Sequence, residues 1–193
     1  VILNLILQRR SVGRLHCLVI SPGEKIGPLE LGMTPKQIWN ALSCLCAEWG
    51  FSISDTHIDE TWEKGTGKLC CHYLNQKFFF IVWYRQSRAI EIAVDLLLRE
   101  QLPVLLYGMD IFQTEAEKVL AAMKQVGPCL CDAGDEQLGT NYEFSSLGLR
   151  LWRERAFHRK LLLDKAYREE MALVLEEEYQ YLYFQIVAVI EKA

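Results

Sequence analysis

The sequence contains no apolar run long enough to form a membrane-spanning helix. Such a helix needs about 20 consecutive apolar residues, and the apolar stretch that opens the sequence, VILNLILQRR, includes an Asn and ends at two arginines. A signal peptide has its basic residues before the apolar run and small residues after it. Because the order here is reversed, we expect a cytoplasmic protein with no export signal and no membrane contact.

An excess of basic residues is also missing. The chain has 21 Lys and Arg against 25 Asp and Glu, which gives a net charge of −4. Nucleic-acid-binding domains are usually basic because they neutralise phosphates, so we expect no nucleic-acid partner. An acidic surface would suit a basic protein, although many proteins that bind nothing have a similar charge.

The sequence lacks the motifs that hold a nucleotide, a metal ion or a catalytic nucleophile. The segment LELGMTPKQ has one Gly where a phosphate-binding loop needs several. There is no Gly-x-Ser-x-Gly, no His-Glu-x-x-His and no calcium-binding loop. We therefore predict no catalytic residue, no cofactor and no metal site.

Seven cysteines are present, but no Cys-x-x-Cys occurs among them. We expect free thiols that pack as small apolar residues in a reducing compartment. Neighbouring residues of a strand face opposite sides, so Cys71 and His72 should point apart. Only Cys129 and Cys131, two apart in an extended segment, are placed to bring two thiols to one side.

Half of the residues are apolar, and the apolar spacing predicts a well-capped helix near the beginning. In GPLELGMTPKQIWNAL, residues 27–42, Thr34 suits the N-cap, Pro35 the first helical position and Gln37 a capping box. Apolar residues then recur every three or four positions until Gly50, where the helix should end. The role of this stretch in starting a helix explains its residues, so we do not interpret it as a catalytic or nucleotide-binding turn.

Strands follow this helix. We predict strands at Leu69–Tyr73, Phe78–Tyr84 and Ala89–Val94, joined by tight turns into an antiparallel meander. Two short strands are predicted in NYEFSSLGLRLWRER and a final one in YLYFQIVAVIEK, after a helix in DKAYREEMALVLEEEYQ.

The second half of the chain repeats the order of elements of the first. It has another apolar run, another Gly-Met pair, and a predicted capping box from Thr114 to Glu117 with Gly127 closing the helix. We therefore predict an α+β protein made of two divergent helix-plus-antiparallel-sheet halves, 14–98 and 99–193, which share a core or form one continuous surface. Residues 1–13 are expected to be a flexible or non-native N-terminal segment.

Each half also has an acidic segment after its helix, predicted to be a loop. We expect the two loops, at 55–63 and 132–136, to form one partner-binding surface, with Trp62 as a buried anchor because tryptophan is enriched at interface hot spots. The candidate partner-binding residues are Asp55, Asp59, Glu60, Trp62, Glu63, Asp132, Asp135 and Glu136.

Two alternatives remain open. His57 lies between Asp55 and Asp59 in the sequence, an arrangement that could tune an acid or base in a small enzyme. Alternatively, the protein could be structural and associate with its own copy through an unpaired strand edge, with Tyr181–Ile190 as the candidate.

The Leu-Gly-Met-Thr helix start resembles that of bacterial helix–sheet repeat modules. Outer-membrane assembly lipoproteins of the SmpA/OmlA type have a similar Gly-Met-Thr start, and the β-lactamase inhibitory protein fold has two helix-then-sheet units in tandem. The stretch LGLRLWRER, residues 147–155, resembles a strand of two-repeat proteins found among bacterial toxin-immunity genes. We expect no lipoprotein signal and no lipidated cysteine to accompany the motif. The resemblance therefore implies a non-enzymatic bacterial immunity protein that covers the basic cleft of a toxin.

Overall fold

The computed structural model describes residues 17–50 and 52–192, so the predicted segment 1–13 lies outside the described residues. The strands in chain order are β1 (Leu18–Ser21), β2 (Lys25–Ile26), β3 (Leu29–Glu30), β4 (His57–Glu63), β5 (Lys68–Leu74), β6 (Phe79–Arg85), β7 (Arg88–Asp95), β8 (Val104–Leu106), β9 (Met109–Asp110), β10 (Leu130–Cys131), β11 (Asn141–Phe144), β12 (Leu149–Trp152) and β13 (Ile186–Ile190). The α-helices are α1 (Pro35–Trp49), α2 (Ala116–Met123), α3 (Lys165–Glu170) and α4 (Leu175–Glu178). The α+β class that the sequence predicts is confirmed.

Two sheets organise these elements. The smaller sheet has the order β3-β2-β1-β8-β9, in which β1 and β8 run parallel. The larger sheet has eight strands in the order β10-β11-β12-β13-β7-β6-β5-β4, and every neighbouring pair in it is antiparallel. The predicted meander corresponds to β5, β6 and β7, each within one residue of its predicted bounds.

The strand register relates the two halves by an approximate two-fold axis at the centre of the large sheet. There β7 of the first half pairs with β13 of the second, and Ala93 lies opposite Ala188. Trp83 pairs with Glu91, two residues before Ala93. Trp152 pairs in the same way with Ile186, two residues before Ala188. The strand pairing on the two sides of this central pair is therefore equivalent at the level of single residues.

One face of the large sheet packs on the helices and the small sheet. Side chains alternate along each strand, so Phe80 and Val82 of β6 enter the core while Ile81 and Trp83 face the other side. The buried core contains residues of both halves, both sheets, α1 and α2. We call the face of the large sheet opposite the core the outer face.

The first predicted helix forms with its predicted cap. The Thr34 hydroxyl accepts a hydrogen bond from the Gln37 N–H at 3.3 Å, and the Gln37 side chain accepts one from the Thr34 N–H at 2.9 Å. Gly50 ends the helix in the left-handed conformation, with φ of 74°. This is the capping box expected from the sequence.

The second predicted capping box is wrong. The N-cap of α2 is Glu115, which makes no side-chain capping bond. A preceding turn, closed by the Thr114 N–H on the Asp110 carbonyl at 2.9 Å, delays the start of the helix. The two Gly-Met pairs are not equivalent either: Gly32 follows β3, whereas Gly108 forms the turn between β8 and β9.

The tail also differs from its prediction. The single expected helix is divided into α3 and α4 by a turn, and Leu173 in that turn is 99% exposed. The final strand, β13, pairs on both sides at the centre of the sheet. It is therefore not the unpaired edge proposed for self-association. In the part of the chain that the structure describes, no helix has the length and apolar character needed to cross a membrane.

Candidate functional site

The first acidic segment is mainly a strand rather than the predicted loop. Asp59, Glu60, Trp62 and Glu63 belong to β4, which pairs with β5 along all seven of its residues. Its other side faces no other strand among the described residues. Every residue of β4 is exposed. We call this strand, His57–Glu63, the acidic edge.

The acidic edge extends beyond the part of the sheet that α1 covers. The Trp39 ring of α1 lies 6.4 Å from the Tyr73 ring of β5, measured between ring centroids, so the helix reaches as far as β5. On the next strand, Ile58 lies opposite Tyr73 and is 41% exposed, and Trp62 is 60% exposed. Two large apolar side chains therefore face solvent between carboxylates.

The second acidic segment lies at the opposite edge of the sheet. It follows β10, and seven inter-strand steps of about 4.8 Å separate that edge strand from β4, roughly 34 Å in all. The expectation that the two segments form one surface is therefore wrong. The order of the strands in the sheet separates the two segments, and local sequence does not reveal that order.

The side chains of the second segment also hold their own loop together. Asp132 accepts hydrogen bonds from the Thr140 hydroxyl at 2.6 Å and the Thr140 N–H at 2.9 Å. Burial raises the pKa of Asp132, but these bonds outweigh it and lower the pKa to about 2. Asp135 accepts from the Gln137 N–H at 3.0 Å, and Glu136 pairs with Lys124. These contacts give all three acids a structural role.

The remaining predicted residues lie near the beginning of β4. Asp55 is exposed before the strand and accepts a hydrogen bond from the Ser54 hydroxyl at 3.3 Å. His57 is exposed at the first position of β4. The Asp59 carboxylate lies 3.9 Å from Nδ1 of His72 on β5. The role of His57 as an acid or base stays a prediction.

A Cys-His-Asp arrangement occurs on the outer face. Cys70 and His72 share this face of β5, and Cys70 Sγ lies 3.4 Å from His72 Nε2, while His72 Nδ1 faces Asp59. Cysteine nucleophiles need a thiolate or a base able to form one. Cys70 is 3% exposed, and burial raises its pKa to about 11. Its thiol therefore remains protonated and inaccessible at neutral pH.

The thiols are free, as the sequence predicts, but Cys44 of α1 is exposed and does not pack as an apolar residue. Cys71 enters the core while His72 faces the outer side, which confirms that they point apart. Cys129 and Cys131 are both partly buried against the core, and burial raises the pKa of Cys129 to about 11. Within residues 17–50 and 52–192, no three His, Cys, Asp or Glu side chains converge on a possible metal position.

The outer face carries a groove that the sequence analysis missed. It encloses about 430 Å³ and is lined by Trp83 and Trp152, with Ala93 and Ala188 between them. These two tryptophans occupy equivalent positions in the two halves. Period-two alternation in FFIVWYR and LRLW was the available signal, because it places each Trp on the side opposite the core residues.

A charged pair crosses this groove. Arg150 Nη1 donates to both carboxylate oxygens of Glu91 at 3.0 and 3.1 Å, and Nη2 lies 3.4 Å from Glu143. Burial raises the pKa of Glu91, although the adjacent guanidinium opposes this effect. The groove thus combines aromatic walls with an Arg150–Glu91 pair whose charges neutralise each other. This combination does not indicate a single class of ligand.

Comparisons with protein-family models, curated proteins and solved structures find no match to this chain.

Proposed function

We propose that this chain is a non-enzymatic bacterial protein that binds another protein through the acidic edge. The observation that carries the proposal is the exposure of a complete seven-residue strand with Trp62 between carboxylates. Folded proteins usually cover, shorten or twist such an edge. Trp62 supplies the large apolar area that binding hot spots use.

The charge of the acidic edge indicates the chemistry of the partner. Asp59, Glu60 and Glu63 lie within five positions on an exposed strand. Carboxylates in this setting increase the encounter rate with a basic surface and reject acidic ones. The partner should therefore present Lys or Arg around an apolar pocket that receives Trp62.

The more specific form of the proposal is an immunity protein. In that function, the acidic edge covers the basic active-site cleft of a toxin and inhibits it by occlusion. This form is supported by the resemblance of the helix start and of residues 147–155 to immunity-related repeat proteins. The acids of the second segment are not part of the surface, because they lie at the other edge.

The test is affinity capture from the source bacterium with three purified chains. These are the wild type, the variant Trp62→Ala, Glu63→Lys, and the control variant Leu173→Ala, Glu170→Lys. The control makes the same change in charge and also truncates a large apolar side chain to Ala, at exposed residues of the tail. All three should melt at the same temperature, which matters because Glu63 also accepts a bond from the Thr66 hydroxyl.

We expect the wild type and the control to retain one basic protein that the edge variant loses. Affinity for that protein, once purified, should fall at least about tenfold, since truncating a hot-spot tryptophan costs roughly 2 kcal/mol or more. Equal retention by all three chains would exclude the acidic edge as the contact surface. Expressing the captured protein with and without this chain then tests whether it is a toxin.

A further inference from the structure

We infer that the partner binds by adding a strand to β4, so that its main chain continues the eight-stranded sheet. This inference rests on the proposed function and specifies how the acidic edge recognises its partner. The occupant is an extended protein segment with basic residues interspersed among apolar ones.

The backbone of β4 provides the first argument. In an antiparallel pair, residues alternate between those that bond to the neighbouring strand and those whose N–H and C=O groups point away from it. One side of β4 is occupied by β5 over the full seven-residue register. The groups on its other side form a template of about 23 Å, the length of an ordinary strand. Strand addition uses such templates for affinity and alternate side chains for specificity.

The side chains of β4 specify the occupant. Ile58 and Trp62 share the face that looks toward the core side, four residues apart, and both are exposed. An added strand would place apolar residues with the same spacing beside them. Asp59 and Glu63 share the outer face, where Lys or Arg of the added strand would be adjacent. Charge complementarity thus selects a basic strand.

The same charges exclude a second copy of this chain as the occupant. Pairing β4 with itself would bring the three carboxylates of each copy together on one two-stranded ribbon. Like charges opposite each other on neighbouring strands are destabilising. Glu60 adds to the effect, because a charge on the core-facing side of an edge strand is a known protection against self-pairing.

The first measurement is amide hydrogen exchange of the free, full chain by NMR. Alternate amides of β4 should exchange quickly because they face solvent, while the set bonded to β5 should exchange slowly. Protection of both sets would mean that some part of the chain already covers the edge, and this result would overturn the inference.

The second measurement uses a displayed library of random nine-residue peptides. Peptides are selected on the wild type and counter-selected on Trp62→Ala, Glu63→Lys. We expect enrichment of basic peptides with apolar residues four positions apart. The best peptide is then synthesised in two N-methylated forms, each blocking one alternating set of amides.

Only one of the two N-methylated peptides should lose affinity, by at least about tenfold, because only one set of amides faces β4. The unblocked peptide should also slow exchange of the fast set of β4 amides by a similar factor. If both methylated forms bind like the parent while the edge variant does not, strand addition is wrong and the proposed contact surface stands. If no peptide distinguishes the wild type from the edge variant, both proposals fail.

Discussion

Replacing Arg153 with Met tests whether one buried cation holds the second half together. This side chain follows β12 and is 1% exposed. It donates to the carbonyls of Gly139 at 3.1 Å, Phe157 at 3.2 Å and Gln137 at 3.2 Å, and to the Tyr142 hydroxyl at 2.8 Å. These bonds connect two separate loops, one holding Gln137 and Gly139 and the other Phe157, to Tyr142 of β11, and the guanidinium also lies over the Tyr142 ring.

The cost of the substitution follows from the groups left behind. Phe157 is buried, so its carbonyl cannot replace the lost donor with water, whereas the Gly139 carbonyl keeps its bond from the Tyr142 hydroxyl at 2.8 Å. Each buried acceptor without a partner costs roughly 1–3 kcal/mol. The substitution also removes the cost of burying a charge, which offsets part of this loss. We expect a net loss of about 2 kcal/mol, or about 4–8 °C in Tm for a chain of this size.

The assay is urea denaturation followed by circular dichroism and tryptophan fluorescence, with the m value compared between variants. Arg153→Lys keeps the charge but not the planar fork of donors, so its stability should lie between wild type and Arg153→Met. Arg85→Met is the exposed control, because Arg85 lies 3.6 Å from Glu191 with both side chains more than half exposed. It should cost less than about 1 kcal/mol. The reasoning is refuted if Arg153→Met also costs less than about 1 kcal/mol at an unchanged m value.

Three further predictions concern caps and titrating groups. Thr34→Ala should lower the free energy of unfolding, measured by urea denaturation, by about 1 kcal/mol. Thr114→Ala should lower it much less, because only Thr34 caps its helix. Equal losses would contradict this assignment. The lowered pKa of Asp132 stabilises the fold above the unfolded value of about 3.9, and this contribution disappears as the pH falls toward 2. Asp132→Asn should therefore be less stable than wild type at pH 6, and the difference should shrink at pH 2.5. Burial raises the pKa of Tyr142 to about 12 despite Arg153, so stability should be lost as the pH rises above 10; absorbance at 295 nm in wild type and Tyr142→Phe should show this tyrosine ionising after the exposed ones.

The elements that the sequence predicts correctly are those decided by neighbouring residues. Thr34, Pro35 and Gln37 act within one helical turn, so the start of α1 needs no distant information. The strands β5, β6 and β7 follow one another through tight turns, so their pairing is also local. The second cap fails because Thr114 is engaged in a preceding turn through its backbone. Sequence alone does not decide between these two competing local structures.

The candidate site is a case in which sequence identifies residues but not their arrangement. Trp62 and the adjacent acids are exposed, as a binding surface requires, but they lie on a strand and not on the predicted loop. That Asp132 lies far away depends on β7 pairing with β13, a contact between residues 95 positions apart at Ala93 and Ala188. No periodicity or motif reports such a pairing. Alternation places each tryptophan of the outer groove on the outer face, but only this pairing brings the two to one groove.

The approximate two-fold symmetry relates the two edges of the sheet, and among the described residues the edges differ in the length of their strands. It places the first strand of each four-stranded meander, β4 and β10, at opposite edges. At one edge β10 has two residues, and the loop after it is fixed by Asp132 and Thr140. A short strand offers too few free backbone groups to pair with another chain. At the other edge β4 has seven residues, all exposed, and is protected from its own copy by charge rather than by length. Charge rejects acidic strands while it admits basic ones, so this form of protection leaves the edge open to a selected partner.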